Sequence, residues 1–146
     1  FIFFSKRNQK FIRMNTINLQ KTIKAPASII FEHISQQNKL MLWFAPQVIA
    51  VPAKDTIAAF AFGSEVNFKM KITEFLINKN IKWTCVDGNV DWINSIVIFD
   101  LISENDEKTI LRFKHQKIVE SEKIEQWKNS WKSYLSELKN ICEQIK

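Results

Sequence analysis

Glycine is nearly missing from this 146-residue chain, which holds 2, together with 3 prolines and 2 cysteines. Neither GxGxxG nor GxxxxGK[ST] occurs, so no glycine-rich loop can lay backbone amides against a phosphate. The two thiols, Cys85 and Cys142, have no CxxC neighbour and build no disulfide framework; they read as buried free thiols in a reducing cytoplasm. With 2 histidines besides, three or four ligands at zinc spacing are not available, and no metal or other cofactor is expected. A GxSxG elbow and a Cys–His pattern are also missing, so no catalytic residue is assigned. The apolar run FIFF at the start is far too short to cross a bilayer, and no 18-residue apolar run follows it, so no membrane span is expected.

Acids are outnumbered, 15 to 21, giving a net charge of +6. Lys6, Arg7, Lys10 and Arg13 all precede Met14 with no acid among them, and removing these four charges from +6 leaves +2. The rest alternate in sign, which makes a mixed solvated surface and argues against a nucleic-acid partner. Residues 1–13 begin without Met, and Met14 opens the recognisable pattern. They read as a non-native or disordered leader to one domain over 14–146.

What the chain has in quantity is aromatic carbon: 12 Phe and 5 Trp. So many rings in one domain imply a very large core, or a core partly lined around a cavity. Alternation predicts a first strand over Thr16–Lys24. Pro26 then suits the first turn of a helix carrying Ile30, His33 and Ile34, and a second short helix covers Gln36–Phe44. Strands follow at Val48–Val51, Thr56–Phe62, Glu65–Phe75, around Ile81–Cys85, and at Trp92–Ile102. Turns fall at Gly63-Ser64, Asn78–Asn80, Asp87-Gly88-Asn89 and Ser103–Glu107. The clearest element is last. From Ser121 or Glu122, Ile124, Trp127, Trp131, Tyr134, Leu135, Leu138, Ile141, Cys142 and Ile145 form one stripe of a helix running to the end, with Ser121 as N-cap. A two-Trp face on a helix that long needs a broad, curved antiparallel sheet to bury it.

The strand TILRFKHQKI, Thr109–Ile118, poses the chemical question. Leu111, Phe113 and His115 share one face, while Arg112 and Lys114 mark the other as wet. His115 therefore ends an apolar row as a catalytic group, a pocket contact or a structural hydrogen-bonding residue. Catalysis needs a partner to set its tautomer, and spacing puts no carboxylate on its face. His33, beside Glu32 but not facing it, reads as a structural helix histidine.

The order of elements resembles the START/Bet v helix-grip fold. Within it, the chain is similar to the SRPBCC group related to the activator of heat-shock-protein-90 ATPase, over roughly Asn15–Gln144. The carriers are IKAPASIIFEHIS, Trp43-Phe44-Ala45-Pro46, and Trp92 followed by Val97-Ile98-Phe99-Asp100-Leu101. Thr109 to His115 and Trp131, Leu135 and Leu138 complete the set. The chain departs from the family where Ser130, not Gly, precedes Trp131, and in a short, glycine-poor segment from Pro46 to Gly63. The resemblance implies an α+β fold: a sheet of about six or seven strands gripping the C-terminal helix, with an apolar cavity between them. Strand phase places Trp83, Phe99, Phe113 and His115 on the concave side, facing Trp127 and Trp131, and these six are the expected ligand-binding residues. The implied function is a small cytoplasmic, non-enzymatic protein that binds a hydrophobic or lipid-like molecule. The alternatives are a polyketide-cyclase-like or aromatase-like enzyme on the same scaffold, with His115 moving a proton, or a chaperone-linked interaction module.

Overall fold

The strand that carries His115 lies next to the first long strand of the chain, and this pairing closes the architecture. The computed structural model describes residues 2–4, 11–64 and 66–145, and the side chains of 13–64 and 66–145. Its elements are β1 (Ile2–Phe4), β2 (Phe11–Ile23), α1 (Ala27–Ser35), α2 (Gln37–Trp43), β3 (Gln47–Ile49), β4 (Ile57–Phe62), β5 (Val66–Leu76), β6 (Asn80–Asp87), β7 (Ile96–Asn105), β8 (Lys108–Val119) and α3 (Ile124–Glu143). Every pairing is antiparallel, and the spatial order is β1-β2-β8-β7-β6-β5-β4-β3. Strands β2 to β8 make the seven-stranded sheet that curves around α3. β1 pairs only with Phe11–Arg13, the first residues of β2. Residues 1 and 5–10 of the expected leader, and Glu65 of the strand expected over Glu65–Phe75, lie outside the described residues.

Alternation along β8 produces the expected two faces. Thr109, Leu111, Phe113 and His115 are buried, whereas Arg112 and Lys114 are exposed. In register, Phe113 stands between Leu19 of β2 and Phe99 of β7, and His115 between Ile17 and Val97. The two short helices form one bent element. Gln36, with ψ of 137°, closes α1 and opens α2, and Trp43 Nε1 donates to the carbonyl of His33 at 2.7 Å to fix the bend. His33 is structural, its Nδ1 bonded to the Ile29 carbonyl one turn back at 2.7 Å. No helix among the described residues is long and apolar enough to cross a membrane.

Two expected elements differ. The strand expected from Trp92 begins only at Ile96, because Asp91–Asn94 are turn. Asn89 Oδ1 accepts from the Asp91 amide, Trp92 N–H bonds to the Asn89 carbonyl, and Asn94 takes a left-handed φ of 69°. Asparagine tolerates that conformation, and one such residue breaks an alternation that looks continuous in sequence. Trp92 therefore belongs to this turn and not to the strand. The C-terminal helix also starts later than Ser121. The Ser121 hydroxyl accepts from Lys123 N–H at 3.2 Å and its carbonyl from Ile124 N–H, forming a turn ahead of the helix. Lys123 then holds the N-cap position without a side-chain cap, and the 20 residues of α3 span about 30 Å.

The far end of α3 is tied to the end of β2. Lys21 Nζ donates to Ser136 Oγ, Lys139 Nζ to the Thr22 carbonyl, and the Lys24 amide to Glu143 Oε2 at 2.8 Å.

Candidate functional site: an aromatic cleft beside a sealed core

The concave face divides into a packed zone and an open one. In the packed zone Trp83 of β6, Phe99 of β7, Phe113 of β8 and Trp131 of α3 form a continuous chain of rings. Centroid separations are 4.9 Å for Trp83–Phe99, 5.3 Å for Phe99–Phe113 and 4.5 Å for Phe113–Trp131. All four are at most 2% exposed. Edge-on and tilted ring pairs at these distances add to the burial energy of the side chains themselves.

His115 is enclosed in the same layer at 0% exposure. Trp131 Nε1 donates to its Nδ1 at 3.2 Å, and its Nε2 lies 2.8 Å from Ser95 Oγ. An indole N–H can only donate, so Nδ1 is the acceptor and the ring proton sits on Nε2, donating to Ser95. The edge of the Trp92 ring closes a third side at 4.7 Å. Burial pushes the imidazole pKa down to about 3, which keeps the ring neutral. Both nitrogens are committed inside the protein, so neither has a lone pair or proton to offer a ligand.

The open zone is a cleft of about 770 Å³ between α3 and the β4–β6 end of the sheet. Trp127 and Trp131 form its helix wall. Phe44, at the end of α2, lies at its base, stacked on Trp131 at 5.2 Å with planes 11° apart. Phe62 and Phe68 line it from β4 and β5, and Trp92 from the turn before β7. Tyr134, one turn beyond Trp131, borders it with a hydroxyl whose pKa burial raises. Polar groups line the cleft from the start of α3, where Lys123, Gln126 and Ser130 stand, and from the sheet side, with Asn67 of β5, Asp87 at the end of β6 and Asn89 just after it. A volume of this size, apolar with a few polar groups, is in the range of small-molecule sites. Gly88 makes the narrow approach on the strand side possible. A Cβ built there would fall 2.6 Å from Phe68 Cβ.

Of the six expected ligand residues, Trp127 and Trp131 line this cleft. Trp83 borders only a void of about 10 Å³, and Phe99, Phe113 and His115 lie in the core behind. Phe44, Phe62, Phe68, Trp92 and Tyr134 line the cleft and were not among the six. Tyr134 alone carried a clear signal, lying three residues from Trp131 and seven from Trp127 on the same helix face. Among the described residues no group of three or more His, Cys, Asp or Glu side chains could hold a metal ion.

Comparison with known proteins adds to this geometry. The family model for activator of Hsp90 ATPase homolog 1-like protein matches residues 24–143. Among curated proteins, none matches the chain. Among solved structures, an Aha1 dimer from Colwellia psychrerythraea superposes with a TM-score of 0.80 at 23% identity, over 88% of this chain and 96% of that one. A protein from Mesorhizobium loti gives 0.76 at 15%, over 90% and 99%. DynU16, from the dynemicin biosynthetic locus, gives 0.73 at 15%, over 88% of this chain and 47% of its own. These likenesses establish the helix-grip fold.

Proposed function

The chain belongs to the activator of Hsp90 ATPase homolog 1-like protein family, and from that premise we propose that it is a non-enzymatic binding protein for an apolar, lipid-sized molecule. The observation that carries this reading is the aromatic-walled cleft of about 770 Å³ set beside a core in which the one strand histidine is sealed. A cleft supplies apolar contact area, while acid–base chemistry needs a group with a free nitrogen or carboxyl in hydrogen-bond reach of a substrate. Two buried free thiols suit a reducing cytoplasm, where we place the protein. The test is native mass spectrometry of protein purified from cells, followed by the same measurement under denaturing conditions. A mass excess lost on denaturation, with an extractable apolar compound, supports the reading; no excess in any preparation, and no uptake of added apolar compounds, overturns it.

The family's name favours a second reading, a chaperone-linked module. Stimulation of a heat-shock-protein-90-type ATPase by the purified chain, unaffected by closing the cleft, would support it over the first.

A further inference from the structure

We infer that the cleft takes an anionic amphiphile: an apolar chain or ring system carrying one acidic group, which Lys123 holds at the mouth. The inference rests on the binding-protein reading above and names the ligand's chemical class.

The helix wall of the cleft is graded along its length. Lys123 stands at the start, and Trp127, Trp131 and Tyr134 follow at about 6, 12 and 16 Å along the axis. Beyond Trp127 the wall is aromatic: Trp131 is 2% exposed and stacked on Phe44, and the Tyr134 hydroxyl is the one polar group on that stretch of the helix wall. A ligand lying along the wall therefore has one apolar terminus and one terminus beside an ammonium group.

The charge at the mouth is what fixes the sign. Lys123 and Asp87 are the charged groups lining the cleft. Asp87 has a cation across the ladder, because Lys69 is its partner in the β5–β6 register. Neither Lys123 nor Asp87 takes part in the three ion pairs among the described residues, which join Lys82 to Glu74, Lys108 to Glu104 and Lys139 to Glu143, so the Lys69 ammonium beside Asp87 leaves this end with more cation than acid. Its sequence neighbours Glu122 and Glu125 are exposed and do not line the cleft. Lys123 is itself exposed, so an acidic group seated between its ammonium and the aromatic wall gains the modest energy of a surface pair, with its apolar part held on the wall. A cationic head would instead meet the like charge of Lys123 at that end.

The experiment titrates the protein with two fluorescent probes of the same ring system, anilinonaphthalene sulfonate and its neutral counterpart phenylnaphthylamine. Both are run against the full chain, Lys123→Gln, and Lys132→Gln, an exposed lysine outside the cleft. The sulfonate is expected to bind about two- to fivefold more tightly than the neutral probe. Lys123→Gln should abolish that preference by weakening the sulfonate alone, with melting temperature unchanged, and Lys132→Gln should leave both probes as they were. Equal binding of the two probes, or equal loss of both in Lys123→Gln, overturns the anionic class while leaving the cleft reading intact. Failure of both probes to bind a cooperatively melting protein overturns the cleft reading, and the inference with it.

Discussion

The Trp131 indole donates to His115 Nδ1 across 3.2 Å while the Trp131 ring forms part of the cleft wall. One side chain thus joins the helix to the sheet and shapes the open site. His115→Ala removes the acceptor of that bond and leaves Ser95 Oγ without its 2.8 Å partner in the interior. We expect a loss of about 3–5 kcal/mol of stability, measured by urea unfolding, from the cavity and the stranded polar groups together. Ser95→Ala should cost less, about 1–3 kcal/mol, since only the Nε2 proton loses its partner.

The neutral state of His115 makes stability depend on pH. Its folded pKa of about 3 lies below the ordinary 6.5, so between those values the unfolded chain binds the proton and the folded one does not. The contribution is fully present above pH 6.5 and is lost as pH falls toward 3, with a limit of about 5 kcal/mol. Urea midpoints taken from pH 7.5 down to 4.5 should fall for the wild type and fall less steeply for His115→Gln. Parallel slopes would refute the assignment.

Trp127 and Trp131 should separate binding from stability. Trp127 is half-buried at the cleft, and Trp131 is sealed. Trp127→Ala is expected to weaken binding of an apolar probe about tenfold at a cost near 1 kcal/mol. Trp131→Ala should lose about 3–5 kcal/mol of stability. Probe titration and urea unfolding of the same two variants check both values.

Gly88 combines a φ of +136° with a neighbour that leaves no room for a side chain. Gly88→Ala would drive its Cβ into Phe68 in a backbone conformation that L side chains avoid. The expected result is a stability loss of about 2–4 kcal/mol, measured by thermal unfolding, together with weaker probe binding because Phe68 must move.

Both thiols are buried, and burial raises their pKa, for Cys142 to about 12. Thiolate is the reactive form, so native protein should react with a thiol reagent only as fast as it opens, and at full rate in denaturant. Rapid labelling of folded protein would contradict the packing of β6 and α3.

Much of the frame could be read from residue spacing. The alternation Leu111, Phe113, His115 assigned the inner face of β8, and the stripe from Trp127 to Cys142 gave the buried side of α3. The cleft was harder to read for a physical reason. Every inward-facing aromatic residue looks alike in sequence, and whether it fills the core or borders open space depends on how far the curved sheet stands from the helix. Phe113 and Phe68 are both inward-facing strand residues. Phe113 meets Trp131 at 4.5 Å and borders no cleft, while Phe68, 6% exposed, also lines the open site. Trp92 was hidden differently. Its position depends on the left-handed Asn94, a single backbone choice with no periodic trace.

The ties between β2 and α3 also bear on when the fold can form. Three hydrogen bonds there join residues 115 to 119 positions apart, and β2 gains its neighbour β8 only after the strands between have been made. On the ribosome, β2 and the two short helices emerge long before anything exists to cover their apolar faces. Long-range closures of this kind slow folding and leave such surfaces uncovered in the meantime. The core, with Trp131 at its centre, is therefore completed only after α3 has cleared the exit tunnel, and the nascent chain must stay unaggregated until then.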